Sequence, residues 1–547
     1  MRYICGFRIL SQQPFRPFFI RHLNFASSHL SAAAPSTSSH GQSNIDGDGL
    51  RAVIGLEVHA QITAKSKLFS RGASNYWASS NTTVNFFDCA LPGTLPMLNR
   101  RCVEAGIMTG LALNCRINLV SMFDRKHYFY SDLPAGYQIT QQRQPIAVDG
   151  WVEYIVCDEE KTIEPYVKRT KVIQVQLEQD SGKSIHDAVN RRSLVDLNRA
   201  GIALLEIVCH HNIESELEAS CFAKELHMIM RKIGVCEGRM ERGQFRVDAN
   251  ISVHRPDEPL GPRTEVKNLN SFRFIRRALS YEIARQIDLR KSGKQVVNET
   301  LTFDYRTGKT SPMRDKEERQ DYRYMPEPNL PPLVLRDSSL SEQDSSKPEG
   351  AIDVDEIRRR LPLLPAAVRA SWMQKHGLSL ADCASINNND KLASAFDRML
   401  SENSLTPSRT LRALVLYTVA LADSKVPWEN SPVEWFKLVE IVKLLIEDRI
   451  SENVFLQVLE IMFKDVKKSP TEIVRDRNLF ALEDVAEVER MCDAVIEHSP
   501  KDVRKFKSGD EVQPMKKFIR AAGSRLQWRY PEWKLEKIFR DKLTKLS

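Results

Sequence analysis

The sequence predicts a multidomain protein: a mixed α/β domain, of the α+β kind with an antiparallel sheet, followed by all-α helical and tail domains. Its 547 residues are enough for about three or four domains. Short runs of alternating polar and apolar residues, separated by turn residues, fill the first half, whereas helical spacing dominates the second. Between them, residues 338–350 are rich in Ser and contain Pro and Gly, which predicts a linker.

The first 45 residues predict a mitochondrial transit peptide. They contain four Arg, many Ser and no Asp or Glu, and they lack the long apolar run of a secretory signal. The alternative is a tail without a targeting role. We therefore expect a folded domain over residues 51–337 and a protein that reaches the mitochondrial matrix.

Four runs in this domain alternate strictly, so their polar residues share one face of each strand. The runs are residues 53–62, 173–180, 245–253 and 264–271, and in the second we expect Ile173, Val175 and Leu177 to face the core. The polar side chains that carry chemistry are Glu57, His59, Glu178, Asp180, Arg246, Asp248, Asn250, Glu265 and Lys267. The last run leads into a helix that we expect to begin near Asn270 or Ser271.

Each run alone is typical of the solvated face of an antiparallel sheet. If the four strands are neighbours, their acids and His59 form a floor that can bind Mg²⁺, which prefers oxygen ligands. Arg246 and Lys267 are then available to phosphate oxygens. Such a site suits phosphoryl transfer, in which metal and cations stabilise the spreading charge.

Other catalytic signatures are lacking from the sequence. Gly182-Lys183-Ser184 and Gly308-Lys309-Thr310 resemble the end of a phosphate-binding loop, but Leu177 and Phe303 stand where its first Gly is required. We find no GxSxG motif and no reactive-cysteine signature, so nucleophilic hydrolysis is not expected. The 10 cysteines form no CxxC pair, and no segment approaches the ~20 apolar residues that cross a bilayer. An integral membrane protein is therefore excluded.

The second half predicts a helical domain over residues 351–405 and a helical tail domain over 406–547. Helices are expected to begin after Ser431 and after Ser469, because each Ser precedes Pro and lies three residues before Glu. Residues 501–547 contain 14 Lys or Arg against 6 Asp or Glu, interleaved with aromatic residues. That pattern suits RNA binding, although the aromatic side chains are equally compatible with a core.

Eight longer segments are similar, in order, to motifs of one known family. They are GLEVHAQ (55–61), LPGTLPMLN (91–99), FDRKHYFYSDLPAGYQITQ (123–141), LEQDSGKSIH (177–186), LVDLNRAG (194–201), RVDANISV (246–253), EVKNLNS (265–271) and DYRYMPEPNLPPL (321–333). Over about residues 51–335 the chain resembles the GatB family, which supplies one of the subunits of glutamyl-tRNA(Gln) amidotransferases, in its mitochondrial form. The helical remainder resembles the family more weakly.

The resemblance implies a cradle domain related to the glutamine synthetase fold, followed by a helical domain and a tail domain that contacts tRNA. It implies that ATP and Mg²⁺ are used to phosphorylate the γ-carboxylate of Glu-tRNA(Gln). Ammonia from the amidase subunit GatA then displaces phosphate, and the small subunit GatC completes a heterotrimer. On this basis we expect metal binding by Glu57, His59, Glu178, Asp248 and Glu265. Arg246 and Lys267 are expected to act with Glu57 and His59 in catalysis, and with Asn250 in nucleotide binding.

Three positions depart from the family pattern. A metal-site Glu of bacterial relatives is Gln179 here, so Glu178 or Asp180 takes its place or the Gln179 carbonyl is a weaker ligand. Asn85 and Asp88 occupy the places of a CxxC pair found in some relatives, and we therefore expect no zinc. His210 and His211 replace residues of another motif, and a solvent-facing turn is favoured over a metal site.

Two alternatives remain open at this stage. One is a non-catalytic subunit that binds tRNA and supports assembly, and the other is a free-standing ATP-dependent amide ligase. Glu206, within ALLEIV, is either a further acid of the site or a partner in a structural salt bridge.

Overall fold

The computed structural model describes residues 49–158, 163–187, 189–313, 322–340, 350–387, 389–403, 405–465 and 467–545. The predicted transit peptide lies outside the described residues, as does most of the predicted linker. Two compact units are present, one within residues 39–388 and the other within 389–547. The first is mixed α/β and the second is helical, as the sequence predicts. No helix of the described residues is long and apolar enough to span a bilayer.

The first unit is built on a nine-stranded sheet with the order β14-β13-β12-β11-β1-β10-β7-β6-β2. Its pairs are antiparallel except β12 with β13. Smaller sheets join β15-β4-β5, β16-β3 and β8-β9. The strands are β1 (Arg51–Gln61), β2 (Arg116–Ile117), β3 (Val120–Ser121), β4 (Asp124–His127), β5 (Tyr137–Thr140), β6 (Ala147–Val156), β7 (Tyr166–Gln179), β8 (Lys183–Asp187), β9 (Arg192–Asp196), β10 (Ala203–Cys209), β11 (Phe245–His254), β12 (Thr264–Leu269), β13 (Glu299–Asp304), β14 (Lys309–Pro312), β15 (Met325–Pro326) and β16 (Leu333–Val334).

The first three helices of this unit pack against the strands of the large sheet, and the others pack mainly against helices. In chain order, the helices are α1 (Arg100–Ala112), α2 (Glu216–Lys232), α3 (Phe272–Lys291), α4 (Val354–Arg359), α5 (Pro365–His376) and α6 (Leu380–Asn387). Alternation along β1 and β11 sends Leu56, Val58, Val247 and Ala249 into the core, where all four are fully or almost fully buried. The polar residues of these strands consequently share the opposite face. Helix α3 begins after Ser271, as predicted.

Strand β7 breaks its own alternation, so the expectation that Ile173 faces the core is wrong. Val172 and Val175 are both buried, whereas Ile173 is exposed. The register with β10 shifts here, because Val208 pairs with Gln174 and the next residue pairs with Val172. Ile173 is therefore the extra residue of a β-bulge. Beyond it, the buried Val175 and Leu177 alternate with Gln176 and Glu178 as predicted.

The second unit contains α7 (Asp390–Glu402), α8 (Pro407–Asp423), α9 (Trp435–Ile446), α10 (Glu452–Lys464), α11 (Pro470–Asp476), α12 (Val485–Glu497), α13 (Pro500–Lys507), α14 (Val512–Arg525) and α15 (Glu532–Lys545). The predicted start after Ser469 is confirmed, with a complete capping box to Glu472. The predicted start after Ser431 is wrong, because α9 begins at Trp435. The Ser431 hydroxyl instead bonds the Tyr417 hydroxyl and accepts from the Val433 N–H, which leaves it outside the helix.

Candidate active site

The register of the large sheet brings polar residues from separate strands together. On β1, Glu57 lies opposite Asp248 of β11, and His59 lies between Arg246 of β11 and Glu206 of β10. Glu178 reaches the same face from β7, the strand on the far side of β10. The predicted convergence of these strands is thus present in the structure.

Four residues form a compact group at the centre of this face, which we call the acidic cluster: Glu57, His59, Glu178 and Glu206. His59 Nε2 lies 3.6 Å from Glu57 Oε1, 3.9 Å from Glu206 Oε2 and 4.0 Å from Glu178 Oε1. Ligand atoms of Glu57, His59 and Glu206 all lie within 4.8 Å of one another. No other group of His, Cys, Asp or Glu in the described part of the chain has this spacing.

Lys126, on β4, supplies positive charge to the acidic cluster. Its Nζ lies 3.5 Å from Glu178 Oε2 and 5.2 Å from the centre of the Tyr322 ring. Burial alone would lower the pKa of Lys126, but Glu178 and Glu206 raise it well above its usual value. Burial raises the pKa of Glu206 well above the ordinary range, and the charges of Glu178 and Glu57 add to this shift. The cluster therefore holds more negative charge than one lysine balances.

The chemistry of the acidic cluster fits a divalent cation. Burial and then the charges of Arg246 and Lys126 hold the pKa of His59 well below its usual value, so the imidazole is neutral and keeps a lone pair. Oε2 of Glu178 is buried and accepts no hydrogen bond. Ligands of one octahedral Mg²⁺ lie about 3.0 to 4.2 Å apart, given bonds of about 2.1 Å. The distances from His59 to its neighbours fall within that range.

Asp248 and Glu265, two of the five predicted metal residues, lie against Lys267. Lys267 Nζ is 3.2 Å from Glu265 Oε1 and 3.8 Å from Asp248 Oδ2. Burial raises the pKa of Asp248 to about 6, although Lys267 opposes the shift. Burial lowers and the two acids raise the pKa of Lys267, with a net upward shift. The predicted metal residues therefore fall into two groups, one in the acidic cluster and one around Lys267.

Arg246 is paired with an acid of the same face. Its Nη2 lies 3.2 Å from both carboxylate oxygens of Asp180, and Asp180 is the main cause of a raised Arg246 pKa. Arg199 also approaches Asp180, at 3.6 Å. Asn250, predicted to bind nucleotide, has a buried Oδ1 that accepts no hydrogen bond. Arg246, a predicted ligand of phosphate, is therefore already engaged in an ion pair that Asp180 shares with Arg199.

Gln179 points away from the acidic cluster. Alternation along β7 puts the side chains of Glu178 and Gln179 on different sides of the strand, and Gln179 lines a cavity of about 340 Å³ at the strand's end with Asp180, Leu91 and Ala135. Its backbone carbonyl accepts a hydrogen bond from Gln138 Nε2 at 2.8 Å, and its side-chain Oε1 is buried without a partner. Glu178, and not Gln179, is thus the β7 residue within the cluster.

Two charged residues, one in the acidic cluster and one beside it, were absent from the set predicted by alternation. Lys126 lies on a four-residue strand of a separate sheet, too short for a period to identify its face. Glu206 is the single charged residue of the apolar strand β10, and its side chain accepts a hydrogen bond from Gln176 Nε2 at 2.8 Å. A lone acid in an otherwise apolar strand is a usable signal, because burying it is costly without partners.

Asp88, at one of the two CxxC positions, forms a buried ion pair with Lys67. Lys67 Nζ lies 2.8 Å from Asp88 Oδ2, and the side chains of both residues are shielded from solvent. The N–H of Asn85 donates to the same carboxylate oxygen at 2.8 Å. His210 and His211, the other departure, stack with ring centres 4.2 Å apart in the segment between β10 and α2. His211 is exposed as predicted, whereas His210 is half-buried and its Nδ1 is buried without a hydrogen-bond partner.

In the second unit, the basic and aromatic residues of the tail separate. Phe518 and Phe539 stack at 5.5 Å within a buried core, and Tyr530 packs in the same core. Lys516 and Lys517 are exposed, and Lys517 Nζ donates to Asp502 at 2.7 Å. Most of these aromatic side chains therefore serve packing. A tRNA contact here would depend on the surface cations.

Comparisons with known proteins agree with this architecture. Residues 52–341 match the GatB/GatE catalytic domain family, and residues 394–523 match the GatB domain family. The GatB-type subunit of human mitochondrial glutamyl-tRNA(Gln) amidotransferase is 47% identical over 458 residues, covering 84% of this chain and 82% of the human protein. The zebrafish protein of the same name is 42% identical, with 84% and 83% covered. The corresponding subunit of the Rickettsia typhi aspartyl/glutamyl-tRNA(Asn/Gln) amidotransferase is 40% identical, with 84% and 90% covered.

Proposed function

This chain belongs to the GatB/GatE family of tRNA-dependent amidotransferase subunits, and from that premise we propose that it activates misacylated Glu-tRNA(Gln) in mitochondria. The reaction would be phosphorylation of the glutamyl γ-carboxylate by ATP, followed by amidation with ammonia to give Gln-tRNA(Gln). The observation that carries the proposal is the acidic cluster, which holds Glu57, His59, Glu178 and Glu206 on one face of the sheet.

The chemistry explains why such a cluster is useful. A carboxylate is a poor acyl donor, and phosphorylation converts one of its oxygens into part of a leaving group. The γ-phosphate and the attacking carboxylate repel each other, so the step depends on nearby positive charge. A Mg²⁺ bound to the cluster would supply part of that charge.

The chain's own residues have separable tasks in this scheme. Glu57, Glu206 and Glu178 would hold the cation through carboxylate oxygens, and the neutral His59 through Nε2. Lys126 would shield the phosphate from the acids around it, because its charge is maintained by Glu178. Lys267 is the second candidate for phosphate contact, and Asp248 and Glu265 hold it in place. Arg246 would orient Asp180 and meet phosphate only if their ion pair opens.

The same proposal implies partner subunits, a cellular location and cofactors for this chain. We expect a heterotrimer with the amidase subunit GatA, which supplies ammonia, and with GatC, and a location in the mitochondrial matrix. The first unit would be a cradle related to glutamine synthetase, and the tail would contact tRNA. ATP and Mg²⁺ are the expected cofactors, without zinc. The names of the relatives support the tRNA substrate and the subunit role.

The decisive experiment uses the assembled complex with Glu57→Gln. We expect tRNA binding and subunit assembly to persist, whereas Glu-tRNA-stimulated ATP hydrolysis and transamidation fall by more than tenfold. Glu237→Gln, which removes an exposed acid paired with Arg239, is the matched control and should retain both activities. If Glu57→Gln keeps both activities, the acidic cluster is not the catalytic site. Full activity of the chain without partner subunits would instead indicate a free-standing ligase.

A further inference from the structure

One edge of the large sheet carries a basic surface that the activation step does not use. The hairpin β13–β14 ends the sheet, and the first half of α3 packs beside it. Five exposed side chains lie along this edge, and we call them the edge patch: Arg273, Arg277, Tyr305, Arg306 and Lys309. Arg273, Arg277 and Tyr305 lie on the side of α3, whereas Lys309, the register partner of Asp304, lies on the other face of the same edge.

Contacts between the helix and the hairpin hold the edge patch together. The rings of Phe274 and Tyr305 stack with centres 5.8 Å apart and planes 20° apart. The Arg277 guanidinium lies 6.0 Å from the centre of the Phe303 ring, beneath the hairpin loop. Lys309 pairs directly with Asp304 in the register of the two strands. The side chains are therefore presented from a helix and a paired hairpin.

Three of the four cations of the edge patch have no acidic partner among the described residues. On the same helix, Arg276 is paired with Asp158 and Arg285 with Glu282. By contrast, no carboxylate of the described residues lies within 4.0 Å of Arg273, Arg277 or Lys309.

The one acid among them is already occupied. Asp304 accepts hydrogen bonds from the N–H of Arg306 and the hydroxyl of Thr307, and lies 3.8 Å from the Arg306 side chain. Counted over the residues that the structure describes, the patch therefore has four cations against one acid.

We propose that the edge patch binds the phosphate backbone of the tRNA substrate. Unpaired guanidinium groups match phosphate oxygens in geometry and charge. Tyr305, which is 61% exposed, offers a ring face to an unpaired base or a ribose. This inference rests on the proposed function and adds a tRNA contact within the first unit. The competing explanations are edge protection, since charged side chains deter strand pairing, and a protein partner.

The test neutralises three cations at once, as Arg273→Gln/Arg277→Gln/Lys309→Gln, in the assembled amidotransferase complex. Affinity for Glu-tRNA(Gln) is measured across a KCl titration. Each lost phosphate contact lowers the slope of log K against log salt by about 1, so we expect a slope smaller by about 2 to 3 and at least tenfold weaker binding at low salt. Amidation at saturating tRNA should keep its maximal rate.

The matched control removes the same charge from strands on the other side of the sheet. Arg116→Gln/Arg169→Gln/Lys171→Gln, at exposed positions on β2 and β7, should keep the wild-type slope. Arg277→Lys in the otherwise native chain retains the charge and should keep most of the affinity, which separates charge from packing.

Three outcomes overturn the inference: a wild-type slope in the patch variant, an equal loss in the control, or lost subunit assembly with unchanged tRNA affinity. They leave the proposed function intact as long as the wild-type complex still amidates Glu-tRNA(Gln). Failure of that wild-type reaction would count against the proposed function itself.

Discussion

Replacing Glu206 by Gln should stabilise the metal-free protein and at the same time weaken its response to Mg²⁺. Ligand atoms of Glu206 and Glu57 lie within 4.8 Å of each other. Two like charges at that distance repel by about 3 kcal/mol at an effective dielectric constant of about 20. Glutamine keeps an oxygen that can accept the hydrogen bond from Gln176. Because Lys126 already offsets part of the repulsion, we expect a net gain of about 1 to 2 kcal/mol.

Glu206→Gln should be the more stable protein whether Glu206 of the wild type stays ionised or takes up a proton on folding. Burial raises the pKa of Glu206 in the folded protein above its value in the unfolded chain. Glu206 therefore costs no folding free energy at a pH below the unfolded-state pKa, and its cost grows as the pH rises above that value. The advantage of Glu206→Gln should therefore be larger at pH 8 than at pH 5, in EDTA. Thermal unfolding followed by calorimetry measures it as a rise of about 1 to 3 °C in Tm.

Addition of Mg²⁺ should make the wild-type protein more stable than Glu206→Gln. A ligand at 100 times its Kd stabilises the folded state by about 2.7 kcal/mol. The wild-type protein should gain this full stabilisation from Mg²⁺, and Glu206→Gln should gain less because it lacks one carboxylate of the cluster. A crossing of the two stabilities between EDTA and saturating Mg²⁺ is the expected signature, and Glu237→Gln should show the wild-type response. A destabilised variant in EDTA, or an undiminished Mg²⁺ response, would refute the reasoning.

Further predictions concern single contacts. Lys126→Met leaves the acidic cluster without its cation and should lower metal-free stability by about 3 kcal/mol, with much of the loss recovered in Mg²⁺, as measured by Tm with and without EDTA. Asp88→Asn leaves the Lys67 charge buried and unpaired, and should cost about 3 to 5 kcal/mol in denaturant unfolding, whereas Lys67→Met/Asp88→Leu should recover most of it. Ser469→Ala removes a capping box and should cost about 1 kcal/mol of stability in the helical unit, whereas full stability would show that the cap contributes nothing.

The polar faces were predictable because a strand has a period of two, and the side chains of Glu57, His59 and Asp248 follow that period without interruption. The period does not reveal which strands are neighbours, so neither the pairing of Glu57 with Asp248 nor the contacts of Lys267 with Asp248 and Glu265 could be predicted from it. Lys126 could not be found in this way, because it comes from another sheet. The alternation of polar and apolar residues identified the surface but not its full set of charges.

Two local errors have equally specific causes. Ile173 looks like a core residue in sequence, yet the bulge is defined by its pairing with β10 and has no signature within β7 itself. Ser431 has the pattern of a cap, but its hydroxyl bonds Tyr417, 14 residues earlier along the chain. In both places a contact outside the local window determines the outcome.

Because β7 has a bulge at Ile173, the number of residues between the bulge and Glu178 determines which face of the sheet Glu178 occupies. Thr170 and Val172 face the helices before it, and Val175 and Leu177 do so after it. The alternation of inward and outward residues along β6 also shifts by one opposite Ile173, where Asp149 adopts a φ of 58°. Deleting Ile173 would remove the bulge and leave Glu178 on the face of the acids. Inserting one residue between Val175 and Leu177, with the bulge retained, would instead turn Glu178 toward the helices and Leu177 toward the acids. Such an insertion would disrupt the site while leaving every one of its residues in the gene.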